Sequence, residues 1–579
     1  MAEYLSPGVY MEEFDSGGVP MEGASTSTAG FIGLAQRGEV VGLPELVTSF
    51  NDFRRAFGTH LSDNAFGNYR FLAYAVEQFF TNGGSRAYIM RVAPSDAKVA
   101  GNADAAGSQK PALTVQAKNP GSWGNAIRLK VVPASKAKTQ IKALVGDAST
   151  TKKYEVKNSA GFIQDDVVVF TDGVNQQYCK VVSAQDNIIE LSEALKGEVT
   201  DTSIQPVKTL GTCEFNLHVN YGSEEEVYEK CSLNVHTPNH VSKITAKSRL
   251  VVISDTSAAS DDPVAPFEVI AGDAEATEYV IELAGGGDGS QANVTPDIFI
   301  GEDNGAGNRT GIQSFRDNDV VSFIAIPGVT NANVQLELVA HCELLKSRIA
   351  ILDVAKENTR EPDVAAHRNI FDSSYAALYH PWVQVFDPLD KKNIYIPPSG
   401  SVAGVYARSD NGRGVHKAPA NEIVRGCSGL SVQYNKGEQD IMNPKGINLI
   451  RSFPGQGIRV WGARTCSSNG LWKYVNVRRL FIFLEESIKN NTNWVVFEPN
   501  DEALWARVHR TIDAFLTRVW RDGALMGNSP EEAYYIQIGR STMTQDDIDN
   551  GRLICVIGVA PVKPAEFVIF RLTQKTGDQ

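Results

Sequence analysis

Residues 553–572, LICVIGVAPVKPAEFVIFRL, hold two strand-length apolar runs, 553–560 and 566–572, set apart by Pro561 and Pro564. Proline cannot donate to a ladder, so the two prolines bound the runs. In the second run Phe567, Ile569 and Arg571 alternate with Val568, Phe570 and Leu572, which makes both faces mostly apolar. The backbone groups of such a run also need partners. It either joins a sheet of its own chain or adds to the sheet of another, and in the second case the protein is a unit of assembly by strand exchange.

Working back from that stretch, residues 477–489 set Leu480, Phe481, Leu484 and Ile488 on one side of a helix, and 494–497 reads as a strand after it. Asn500 is placed to cap a second helix, with Asp501 and Glu502 favourable in its first turn. Leu504, Val508, Phe515 and Val519 form its buried stripe, broadened by Trp505, Ile512 and Leu516. Upstream, 320–326 is a strand ended by Pro327 and Gly328; Val334, Leu338, Cys342 and Leu345 line one helix face, and 348–354 begins the next strand. The same texture occurs earlier, as strand 31–34, a helix marked by Phe71, Leu72, Ala75, Val76 and Phe79, and strand 87–92. Strands alternating with helices make the class α/β.

Between these blocks the composition changes. Ala, Gly, Asp and Lys dominate a linker after Pro94, and to about 205 the apolar runs are strand-length, at 113–117, 127–132, 167–170 and 188–191. A second mixed segment follows to about 300, with AGGGDGSQAN at 284–293 as a loop or hinge. Residues 16–30, rich in Gly, Ser and Thr, have too few apolar side chains for a core and suit an extended arm.

At 579 residues the chain has room for about three or four domains. A formal charge of −13 disfavours nucleic acid as the main partner, and the basic pairs at 54–55, 391–392 and 478–479 are too short to reverse that. The start MAEYLSPGVYMEEF lacks the basic and apolar regions of a secretory signal, and there is no run of eighteen apolar residues, so synthesis and folding in the cytoplasm, without stable membrane insertion, are expected. Seven scattered cysteines without a C-x-x-C pair indicate neither a zinc site nor a disulfide framework.

Catalytic signals are weak. There is no phosphate-binding loop, no H-E-x-x-H pair and no G-x-S-x-G elbow. Gly404, Gly412, Gly414, Gly426 and Gly429 suit turns or close packing. His367 and His380 lack the cysteines or clustered carboxylates of a metal site, and Asp353, where α/β enzymes often keep a carboxylate, has no phosphate loop beside it and reads as a cap or interface residue. No catalytic residue, metal ligand or cofactor is assigned. The competing expectation is a cytoplasmic multidomain α/β enzyme, which requires a deep pocket with convergent ionisable groups.

Seven segments, in order, carry a resemblance: SPGVYMEE from Ser6, NPGSWGNAI from Asn119, PPSGSVAGVYARSDNGRGVHKAPAN from Pro397, GINLIRSFPGQGIRVWGARTCS from Gly446, WKYVNVRRLFIFLEESI from Trp472, FEPNDEALWARVHRTIDAFL from Phe497 and GVAPVKPAEFVIFRLTQ from Gly558. By them the chain resembles the contractile tail sheath proteins of phage tails and phage-tail-like contractile injection systems. The stretch from about 130 to 315 carries little of the likeness.

The resemblance implies a discontinuous core domain, 31–95 with 310–560, interrupted by a β-rich inserted domain at 105–205 and a second at 206–309, with an N-terminal arm at 1–30 and a C-terminal arm strand at 561–579. It implies subunits that stack as six-fold rings in a helical array around an inner tube protein, with baseplate and tail terminator proteins as further partners and no direct nucleic acid. It implies contraction that drives the tube through a target envelope without consuming nucleotide. Strands lent between subunits would come from Val9, Tyr10 and Met11 and from Phe567, Val568, Ile569, Phe570, Arg571 and Leu572, with Gly17 and Gly18 letting the first arm bend. Arg464, Arg478, Arg479, Glu485 and Glu486 are the expected charge contacts between subunits.

Overall fold

Strands that are apolar on both faces need a layer on each side, and the first of two units meets that need with a nine-stranded sheet. The structure, a computed structural model, describes residues 21–102, 112–146, 152–173, 175–196, 208–257, 262–273 and 275–571. Of these described residues, the first unit takes those at 21–35, 40–92 and 295–571; the second takes those at 36–39 and within 93–294.

In the first unit the strands are β1 (Thr28–Leu34), β2 (Glu45–Val47), β3 (Arg86–Val92), β4 (Phe323–Ala325), β5 (Ile349–Asp353), β6 (Ala376–His380), β7 (Glu422–Ile423), β8 (Ile447–Phe453) and β9 (Gly457–Val460). Their order is β2-β3-β1-β4-β5-β6-β8-β9-β7. The six from β3 to β8 are parallel, and β2, β9 and β7 are antiparallel additions at the edges. Every residue of β1, β5 and β6 is buried. Alternate residues Ala29 and Phe31, Ile349 and Ile351, and Ala377 and Tyr379 join one apolar cluster with Phe79 of α1 (Leu72–Thr81). Helix α2 (Ala332–Leu345) buries Val334, Leu338 and Cys342 as its spacing predicts.

The PPSG segment supplies the closest packing. Residues Ser399–Arg413 form α3, whose small face lies against α1. A Cβ added at Gly404 would sit 2.5 Å from Asn82 Cβ and 2.6 Å from the Phe79 carbonyl oxygen, and one at Gly400 would strike the Ala75 backbone. Backbone cannot step aside as a side-chain tip can. Gly404→Val is expected to cost the first unit about 3 kcal/mol by overpacking, read as a lowered thermal unfolding midpoint. Asp353 ends β5 and accepts from the backbone N–H groups of Gly328 (3.1 Å) and Ser399 (2.9 Å) and from Ser399 Oγ (2.7 Å). It therefore ties the start of α3 to the sheet, and burial pushes its carboxyl up to about 6.

The C-terminal part adds α4 (Val475–Asn491), α5 (Glu502–Arg521) and an antiparallel pair, β10 (Tyr534–Ile538) and β11 (Cys555–Val559). Two local expectations change. Asp501, not Asn500, caps α5, accepting from Leu504 N–H at 2.9 Å, because the Asn500 side chain is taken by Trp505 Nε1 and the Arg552 carbonyl. Residues 494–497 do not form a strand. Val495 and Val496 turn back to the Thr492 and Asn493 carbonyls, and Phe497 takes φ +69° to reverse the chain.

The second unit is all antiparallel in its sheets. Strands Leu113–Ala117, Arg128–Ala134, Glu214–Tyr221, Glu224–Cys231, Val251–Asp255 and Tyr279–Ala284, with the short Gly101–Asn102, make a seven-stranded sheet. Lys138–Leu144, Lys153–Val156, Val167–Thr171, Gln176–Gln185, Ile188–Leu191 and Thr209–Thr212 close a six-stranded barrel around Tyr154, Phe170, Val181 and Leu210. The barrel is nested between two paired strands, Arg128–Ala134 and Glu214–Tyr221. The chain is therefore not divided at 205 into two successive insertions, because strands on either side of that point belong to one sheet. Residues 36–39 also depart from the expected core: Arg37 lies over the Tyr221 ring at 4.8 Å and pairs with Glu224 at 2.8 Å.

Candidate assembly interface

The apolar stripe of α5 determines where the C-terminal strands lie. Leu504, Val508, Ile512, Phe515, Leu516 and Val519 pack with Leu480 and Leu484 of α4, and Ile536, Ile538, Ile557 and Val559 of the β10–β11 pair close over them. Each strand of this pair has one neighbour. Register runs from Tyr534 opposite Val559 to Ile538 opposite Cys555, and no third described strand joins either outer edge. A two-stranded ribbon exposes a row of peptide groups on both sides, and Tyr535 and Val556 stand out on its outward face.

The chain beyond β11 stays tied to its own protomer for a few residues. Ala560 bonds Ala533 and accepts from Met526, Val562 N–H reaches the Ala524 carbonyl, and Asn476 Nδ2 donates to the Val562 carbonyl. Then Glu566 is gripped. Arg464 donates to its two carboxylate oxygens at 2.8 and 2.6 Å, Tyr474 Oη donates at 3.0 Å, and Lys473 Nζ lies 3.8 Å away. Burial raises the Glu566 carboxyl, yet the Arg464 and Tyr474 hydrogen bonds and the nearby cations outweigh it and hold the group below its ordinary value.

Past this grip the side chains stand largely in water. Phe567, Val568, Ile569 and Phe570 are 74%, 69%, 78% and 85% exposed, and residues 566–571 pair with no described strand. Four successive large apolar side chains in water form a patch that a soluble monomer rarely carries. Val9, Tyr10, Met11 and Leu572 lie outside the described residues. At the other end the expected arm of 1–30 is shorter in its described part. Met21 is buried among α4 and α5 residues, Ala24 N–H bonds Ser487 Oγ at 2.9 Å, and β1 already begins at Thr28. A Gly, Ser and Thr-rich stretch gives no apolar signal for this, because side chains of α4 satisfy its backbone.

The five charged residues fall into different settings. Arg479 is fully engaged within its chain, donating to both Asp410 oxygens at 2.9 and 2.6 Å and to the Thr26 carbonyl at 2.8 Å. Arg478 stacks 3.6 Å from the Trp472 ring centroid and bonds Ser374 Oγ. Glu486 is buried with Oε2 unpartnered among the described residues, whereas Glu485 is exposed. His367 and His380 have separate partners, one bonded to Gln335 and the other to Tyr434, and burial lowers the pKa of both. Sequence reasoning missed Asp410, Asn448 and Glu566. Only Glu566 had a visible signal, as the one acid inside an apolar terminal run.

The geometry has counterparts in known proteins. A profile of the phage tail sheath protein central domain matches residues 310–466, and one of the phage tail sheath C-terminal domain matches residues 467–575. A tail sheath protein of Vibrio phage KVP40 is 25% identical over 210 residues, covering 36% of this chain and 30% of that protein. A putative prophage major tail sheath protein of Pseudomonas aeruginosa is 26% identical over 300 residues, covering 49% of this chain and 75% of that one. The chain thus spans under a third of the first relative and three quarters of the second. The contracted helical sheath of the anti-feeding prophage superposes with a TM-score of 0.51 over 99% of this chain and 100% of that one, at 21% identity.

Proposed function

We propose that this chain, whose residues 310–575 match the central and C-terminal domains of the phage tail sheath family, is a structural subunit that polymerises by strand exchange as stacked six-fold rings around an inner tube. The observation that carries this reading is a complementarity within one chain: a two-stranded ribbon with unpaired outer edges, and an exposed apolar segment at 567–570 with no described sheet to join. Added to the ribbon of another copy, the segment would gain backbone partners and cover its side chains. Backbone pairing depends on no single side-chain pocket, so it holds while subunits reorient. Contraction then draws on contacts formed between subunits, and it drives the tube through a target envelope once a baseplate releases the array.

The full chain, expressed alone and viewed by negative-stain microscopy, is expected to give wide hollow cylinders. Removal of 567–579, which spares Glu566 and everything packed before it, is expected to leave monomers or small irregular species. Unchanged cylinders from the shortened chain overturn the role given to the terminal strand.

A further inference from the structure

We infer that Glu566 is the pin on which the C-terminal strand is delivered, and that it carries the load on that strand into the central sheet; this rests on the strand-exchange reading and deepens it. Between Val562, the last residue with a described backbone bond to its own protomer, and Phe567 lie Lys563, Pro564, Ala565 and Glu566. Without the grip on Glu566 the strand would swing on all four. With it, the exposed run starts directly at a fixed point, so its direction is set before it meets another copy and less order is lost on pairing.

The grip leads inward. Arg464 is buried, its backbone N–H bonds Asn448 Oδ1 and its carbonyl accepts from Asn448 Nδ2, both at 2.7 Å, and its Nη1 reaches the Asn443 carbonyl. Asn448 is a fully buried residue of β8, a parallel strand of the nine-stranded sheet. Tyr474, the second donor, bridges Arg464 backbone to backbone and immediately precedes α4. A pull on the strand therefore passes from Glu566 through two charge-assisted bonds to Arg464, and from there into β8 and α4 together. Bonds loaded side by side share force, and a bidentate carboxylate–guanidinium pair resists both sliding and rotation. A positioning residue is what this geometry assigns, since Glu566 acts through Arg464 and Tyr474 of its own chain.

The test compares the full wild-type chain with Glu566→Ala and Glu566→Gln. Glu566→Ala is expected to raise the concentration needed for cylinders at least about tenfold, on the scale of lost effective concentration, and to make preformed cylinders shed subunits at lower urea. The unfolding midpoint of the Glu566→Ala chain lacking 567–579 is expected to fall, because the buried Arg464 guanidinium loses its carboxylate, but by less than the loss in cylinder stability. Glu566→Gln, which keeps one carbonyl acceptor for Arg464 Nη2 and Tyr474 but sets an NH2 against Arg464 Nε–H, should fall between. Equal assembly thresholds for wild type and Glu566→Ala, with cylinders that still require 567–579, overturn the pin alone. A monomer midpoint that falls as far as the cylinder's also overturns it, because the effect is then only folding. Wild-type chains that never form cylinders overturn the pin and the strand-exchange reading together.

Discussion

Asp410→Ala will destabilise the first unit by about 3–5 kcal/mol, the usual cost of stripping one partner from a buried ion pair. Both side chains are nearly sealed from water, at 2% and 3% exposure, so the stranded Arg479 guanidinium cannot be rescued by solvent. Arg479 also lies 4.6 Å from the Tyr406 ring centroid and 5.4 Å from that of Phe323, which leaves it no polar alternative on that side. Replacing both partners with apolar residues, Asp410→Leu with Arg479→Met, should recover most of the loss. The Thr26 carbonyl then loses its donor, so recovery falls short by about 1–2 kcal/mol. Thermal unfolding of the single and double variants measures this. The double variant also tests how far the arginine's charge reaches. If it folds and still builds cylinders, Arg479 serves its own protomer; a folded double variant that cannot assemble gives Arg479 a role between subunits.

The α/β core was legible because its signals are local. Phe71, Val76 and Phe79 at helical spacing, and the all-apolar runs of β1 and β5, state their periods within a few residues. The wide stripe of α5 was legible for the same reason. What escaped depends on distance in sequence. Arg464 and Glu566 are 102 residues apart, Arg479 and Asp410 are 69 apart, and neither partner advertises the other. A resemblance named the arginines as charge contacts, and no one-dimensional pattern says whether such a residue points at its own chain or at another. The nested barrel escaped for a related reason, since Arg128–Ala134 and Glu214–Tyr221 read as ordinary strands whether or not they pair. The terminal run shows the converse. Its alternation was plain, but among the described residues it pairs with no strand of its own chain, so its partner cannot be read from the residues around it.

Paired prolines in that run will resolve which of its edges is bonded. In a strand, successive residues send their N–H groups to opposite edges, so Val568 and Phe570 donate on one side and Ile569 and Arg571 on the other. Proline removes the donor, and these side chains stand in water in the single chain, so neither Val568→Pro with Phe570→Pro nor Ile569→Pro with Arg571→Pro should alter the monomer. The ribbon offers one open edge to each added strand. One pair of prolines should therefore abolish cylinders and the other should leave them. Two lost ladder bonds cost at least about 2 kcal/mol per strand, about thirtyfold in affinity at each contact, and every subunit in the lattice bears that loss. The measurement is the assembly threshold of each double variant by negative-stain microscopy and sedimentation. Loss of cylinders with both pairs would place the run between two strands, one of them from a third chain. Cylinders with both pairs at the wild-type threshold would mean that the backbone of 568–571 makes no ladder at all, and that its apolar side chains alone do the holding.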